Sequence, residues 1–119
     1  MGDGKSKLRF ATYEVDPSSG ELCDAGTRIR IQDQPFKVLV LLLQHAQEVV
    51  TREELKAHIW PEDSFGDFDH GVNAAIAKLR IALGDSADNP RYVETIPRRG
   101  YRFLVPVEGS GLRPHGFGA

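Results

Sequence analysis

Two groups of side chains in this sequence could engage a partner chemically. Arg98 and Arg99 sit in Pro97-Arg98-Arg99-Gly100, between two stretches of strand character, so a hairpin tip there carries two guanidinium groups. His70, Asn73, Ala74, Ala77, Lys78 and Ile81 recur at helical spacing, opposite an apolar stripe of Val72, Ile76, Leu79 and Leu83. Small and hydrogen-bonding residues on an exposed helix face let another surface approach closely. The chemistry on offer is binding by charge and hydrogen bonds. Each group also has a plainer reading: the arginines as a solvated turn, and Lys78 with Arg80 as an ordinary exposed helix face. Only the combination of helix face and charged hairpin makes a surface.

Signals for catalysis or metal binding are missing. Histidines 45, 58, 70 and 115 have no metal-ligand spacing, so no metal and no cofactor is expected. Cys23 lies in a strand-like stretch with no basic neighbour or nearby histidine to activate a thiolate. Ser18, Ser19 and Ser64 are turn or loop serines outside any nucleophile elbow. The glycines form neither a phosphate loop nor a dinucleotide fingerprint. The expectation is a protein that is not an enzyme.

The 119 residues are one domain's worth, enough to bury a core without disulfides, and the lone Cys23 allows no intrachain disulfide framework. No apolar run approaches the roughly 18–20 residues of a membrane span, and the first nine residues are polar, so a cytoplasmic setting without membrane contact is expected. The formal net charge of −2 conceals an uneven distribution. Residues 61–70 carry four acidic side chains and no Lys or Arg, whereas residues 71–119 carry seven Lys or Arg against four Asp or Glu, a net +3. Charge acts locally, within about 8–10 Å at physiological salt, so the basic part governs what its own surface attracts.

The elements that must position these residues follow from two hydrophobic periods. Leu8 and Phe10, Tyr13 and Val15, Glu21-Leu22-Cys23, and Arg28-Ile29-Arg30-Ile31 read as four short antiparallel strands, separated by turns such as Pro17-Ser18-Ser19-Gly20. Asp33 is a candidate N-cap for a first, largely apolar helix carrying Phe36, Leu39, Val40 and Leu43. Thr51-Arg52-Glu53-Glu54 is a capping box, and Val50 can staple to Leu55, so a second helix starts there and runs to about Ile59 or Trp60 before Pro61. Pro61 to Phe68 is an acidic, aromatic loop. A third helix follows with Asp69 as candidate N-cap and Gly84 as C-cap. Arg91–Ile96 and Tyr101–Val105 form the final hairpin, with Gly100 suited to a positive-φ position. Residues 1–7 are expected to be disordered, 8–107 to form one α+β domain, and 108–119 to be a flexible tail or the start of a linker.

Taken together, the chain resembles the C-terminal DNA-binding domain of OmpR/PhoB-type response regulators and of their CadC-like one-component relatives. The residues that carry the resemblance are Val49-Val50-Thr51-Arg52-Glu53-Glu54-Leu55, Ile59-Trp60, Val72 to Arg80 with Leu83-Gly84, and Tyr92-Val93-Glu94-Thr95-Ile96 with Gly100-Tyr101-Arg102-Phe103. The resemblance implies a winged helix-turn-helix with an N-terminal four-stranded antiparallel sheet, three helices and a C-terminal β-hairpin wing. It further implies sequence-specific binding of double-stranded DNA in transcription regulation. On that basis the third helix enters the major groove with Asn73, Ala77 and Lys78 at the bases. Trp60, His70, Arg80, Thr95 and Tyr101 fall where such domains touch phosphates, and Arg98 and Arg99 probe the minor groove. Trp60 suits a core anchor better than a phosphate contact, since its indole N–H is the only part able to reach a phosphate.

The sequence departs from the family pattern in two places. Ala75 and Ala77 stand where many relatives carry His or Arg, and Pro97 stands where the position is often basic. Affinity for a single site is therefore expected to be modest. The resemblance also implies an RNA polymerase contact through residues 61–68 and a head-to-tail dimer on DNA. The alternative is a winged-helix protein-interaction module with little DNA specificity of its own. The placement of this module at the N-terminal end favours the one-component type, and if the chain continues past residue 119 a sensor or repeat domain is expected to follow.

Overall fold

The computed structural model describes residues 7–60 and 68–109. Four short strands come first: β1 (Leu8–Phe10), β2 (Tyr13–Asp16), β3 (Glu21–Asp24) and β4 (Thr27–Ile29). They pair antiparallel in sequence order, with Leu8 opposite Val15 and Val15 opposite Leu22. The period-2 pattern buries Leu8, Phe10, Tyr13, Val15 and Leu22 on one face and leaves Arg9 and Glu14 to the other. The first helix, α1 (Asp33–Gln44), is apolar on most of its surface. It buries Phe36, Val38, Leu39, Leu41, Leu42 and Leu43 and forms the centre of the core. Its N-cap is Gln32 rather than Asp33. The Gln32 side chain makes no cap bond, and Asp33 lies in the first turn, where its charge complements the helix dipole instead.

A short strand that the sequence periodicity does not reveal, β5 (Val49–Thr51), leads directly into α2 (Arg52–Ile59). Three residues cannot display a period, and Val50 was legible only as a staple to Leu55. The capping box forms as expected. Thr51 Oγ1 accepts from the Glu54 N–H at 3.1 Å, and the Thr51 N–H donates to Glu54 Oε1 at 2.8 Å. Both Val50 and Leu55 are buried in the core. The next helix, α3 (Phe68–Leu83), buries Val72, Ala75, Ile76, Leu79 and Leu83. Asp69 lies inside its first turn rather than at the cap, and its carboxylate pairs with Arg52 of α2. The helix ends on Gly84 at φ 66°, where the Gly84 N–H donates to Ile81 O and the Asp85 N–H to Arg80 O, the paired bonds of a Schellman cap.

The last strands are β6 (Val93–Ile96), β7 (Gly100–Phe103) and β8 (Glu108–Gly109). β7 lies between β5 and β6, so the wing is a three-stranded sheet rather than a free hairpin. β8 pairs with β1, adding a fifth strand to the N-terminal sheet; Glu108 and Gly109, expected in a tail, are thereby part of the fold. The two sheets meet through Phe10, Tyr13, Tyr92 and Phe103, with the Phe10 and Phe103 rings edge to face at 4.8 Å. Tyr13 is buried, which raises the pKa of its hydroxyl, and that hydroxyl donates to Leu83 O at 2.7 Å. The C-terminal end of α3 is thus tied to the N-terminal sheet. No helix among the described residues is long and apolar enough to cross a membrane.

Candidate nucleic-acid interface

The site is built on α3 because its two faces differ so sharply. Every residue of the stripe His70, Asn73, Ala74, Ala77, Lys78 and Ile81 is exposed, and the opposite stripe is core. Lys78 Nζ donates to Gln32 Oε1 at 2.8 Å, which leans its side chain toward the start of α1. Arg80 points to the other flank. Its Nη2 donates to Val93 O at 2.8 Å and to Thr95 Oγ1 at 3.1 Å, so one guanidinium clamps α3 to the wing strand β6. Two of the residues expected at phosphates, Arg80 and Thr95, are therefore direct neighbours.

A second fastener sits just past the end of α3. Asp85 Oδ1 accepts from the backbone N–H groups of Ser86 and Arg91, and Oδ2 from those of Tyr92 and Val93, at 2.7–3.1 Å. Burial pushes this carboxyl up, but the four backbone donors outweigh burial and hold its pKa below the usual carboxylate range. The loop between helix and wing is wrapped around one charged side chain.

At the wing tip the expected glycine role changes hands. Arg98, not Gly100, takes the left-handed conformation, at φ 67°, with Pro97 before it and an Arg99 N–H to Ile96 O bond of 3.0 Å closing the turn. Gly100 is needed for a different reason: a Cβ there would stand 1.9 Å from Val50 O and 2.9 Å from Thr51 Cα. Its lack of a side chain lets β7 lie close against β5 at Thr51, its paired partner. The Arg98 and Arg99 side chains stay exposed.

Tyr101 and Trp60 are core residues, only 4% and 8% exposed. A Cβ on Gly71 would stand 3.1 Å from Trp60 Nε1, so the indole packs against the start of α3. Arg52 is the residue that sequence reasoning passes over, since in the sequence it is merely the first position after a cap. Its Nη2 contacts Asp69 Oδ1 at 2.5 Å, its Nη1 donates to Tyr101 OH at 3.4 Å, and its N–H donates to Arg99 O. Burial works against its charge, but Asp69 and Tyr101 outweigh that and raise its pKa. Arg52 thus ties together α2, the start of α3 and the wing; only the tertiary contact reveals it. The acidic loop, apart from Phe68, lies outside the described residues. Among the described residues no group of three or more His, Cys, Asp or Glu is arranged to hold a metal.

The arrangement is an exposed helix face flanked by a cationic hairpin, with fasteners setting the angle between them. Known proteins share the fold. The DNA-binding domain of Klebsiella pneumoniae RstA, solved in complex with the RstA box, superposes with a TM-score of 0.73 at 26% identity, covering 82% of this chain and 96% of that one. The DNA-binding domain of Escherichia coli CadC gives 0.73 at 30% identity, over 88% and 97%. In sequence, the cholera toxin homolog transcriptional activator of Vibrio parahaemolyticus is 35% identical over 108 residues, 88% of this chain and 37% of that protein. The transcriptional activator CadC of Escherichia coli K12 is 33% identical over 101 residues, 84% of this chain and 19% of its own length. The chain thus spans between about a fifth and a little over a third of these relatives. The family described as "Transcriptional regulatory protein, C terminal" matches residues 26–103, and the chain belongs to it, as a winged-helix domain of the OmpR/PhoB type.

Proposed function

We propose that this domain binds double-stranded DNA sequence-specifically as the DNA-reading part of a transcriptional regulator. The observation that carries the reading is the clamped pair of surfaces: an exposed α3 face with Asn73, Ala77 and Lys78, and a wing tipped by Arg98 and Arg99, locked to α3 through Arg80. A major groove about 12 Å wide admits a helix, and a narrow minor groove draws in arginine. Asn73 and Lys78 supply hydrogen bonds to base edges, and Ala77 supplies closeness. His70, Arg80 and Thr95 lie along the flanks that phosphates would line. Tyr101 and Trp60 are so buried that their part is confined to a hydroxyl and an indole N–H, and Arg52 adds a guanidinium beside Tyr101.

The domain works without cofactor or catalysis, in the cytoplasm where DNA is reached. A second copy on adjacent DNA, head to tail, and a contact between residues 61–68 and RNA polymerase complete the proposal. The test compares wild type, Lys78→Ala and an Arg98→Ala/Arg99→Ala double variant by selection from a random duplex pool with sequencing of the bound fraction. Lys78→Ala should cost about 1–3 kcal/mol on the preferred site and relax preference at one position. The wing variant should weaken many sequences alike. Unchanged affinity and preference in both variants would refute this interface and favour a protein partner.

A further inference from the structure

Ile81 is 79% exposed, and no other large apolar side chain among the described residues is so open to solvent. It lies in the last turn of α3 on its outward face, in the same stripe as Ala77 and Lys78 and opposite the buried Val72, Ile76, Leu79 and Leu83. Nothing in the fold uses it. Ile81 itself lines an open groove with Arg28, Ile29, Arg30, Ile31, Lys78 and Ala82, and no carboxylate lines it. The outward stripe of α3 carries no carboxylate either. An apolar side chain on a face bordered by cations suits a polyanion that offers an isolated apolar group.

Duplex DNA offers one such group in the major groove, the C5-methyl of thymine. We propose that Ile81 is a specificity-determining residue that reads a thymine methyl; this rests on the DNA-binding reading above. Three residues of helix advance about 4.5 Å at 1.5 Å each, against 3.4 Å per base step. The thymine therefore lies about one to two base pairs from the base that Lys78 meets. On this account Ile81 supplies, by apolar contact, part of the discrimination that Ala77 cannot make by hydrogen bonding.

The test uses duplexes recovered from a random pool by the wild-type domain, remade with deoxyuridine replacing thymidine one position at a time, which removes only the methyl. Wild type should weaken about four-fold at one or two positions, the worth of one buried methyl-sized group. Ile81→Ala, which removes an exposed side chain and keeps a strong helix former, should fold normally. It should bind the thymine duplex more weakly and be indifferent to uracil at those positions. Wild type indifferent to uracil everywhere, or Ile81→Ala keeping the same uracil penalty, would overturn the assignment while wild-type binding to its selected site still stood. Absence of wild-type binding in the same titration would remove the DNA reading and the assignment together.

Discussion

Replacing Gly100 by alanine should cost far more than the one methyl group it adds. The new Cβ would stand 1.9 Å from Val50 O, against an ordinary carbon–oxygen contact above 3 Å, so β5 and β7 must part by more than an ångström. That gap cannot be absorbed locally. Thr51 is at once the strand partner of Gly100 and the N-cap of α2, and the Arg52 N–H is bonded to Arg99 O. Overpacking of this kind costs about 1–3 kcal/mol, and each ladder bond given up adds roughly 0.5–1.5 kcal/mol. The expected loss is about 3–5 kcal/mol, a large share of a domain's roughly 5–15 kcal/mol. Urea unfolding followed by the fluorescence of Trp60, the single tryptophan, reads it directly. A loss under about 1 kcal/mol would show that the close approach of β7 to β5 does not constrain the wing.

Three further outcomes follow from the same geometry. Arg98→Gly should leave stability unchanged or raise it by about 0.5–1 kcal/mol, because glycine accepts φ 67° freely, while DNA affinity falls; both moving down together in a melt and a binding titration would contradict that division. Because the Asp85 carboxyl has a lower pKa folded than unfolded, its stabilisation is complete above the unfolded carboxylate value near 4 and is lost as pH falls through the folded one; Asp85→Asn should be less stable at pH 7 and show a flatter acid arm below about pH 4. Asp69→Asn removes the carboxylate that Arg52 faces, so it should tighten DNA binding, and do so less in an Arg52→Gln background.

Where the sequence pattern was strong, it specified the fold down to single contacts. The capping box at Thr51 and Glu54 forms, α2 stops at Ile59 before Pro61, and the buried and exposed stripes of α3 fall on the residues that the 3.6 period assigns. The misses have a common cause, the dependence of a local role on a distant partner. Asp69 has the right type for an N-cap, but Arg52, remote in sequence, engages it from within the first turn. Gly100 has the right type for a positive φ, but strand β5, itself too short to show a period, demands closeness there and leaves the turn to Arg98. The site was legible as two charged or hydrogen-bonding groups. The fasteners that join them, Arg80 to Thr95 and Asp85 to the backbone of the following loop, were not, because hydrogen bonds across elements leave no periodic trace.

In the proposed function the α3 face and the wing bind duplex DNA through several phosphates. Fluorescence anisotropy of this domain with a random-sequence duplex pool, across a series of salt concentrations, tests it most directly. Four to five contacts from cations such as Arg52, Arg80, Arg98 and Arg99 predict a slope of log affinity against log salt of about −4, at roughly −0.9 per phosphate. Binding that is absent at low salt, or that does not change with salt, would contradict the account.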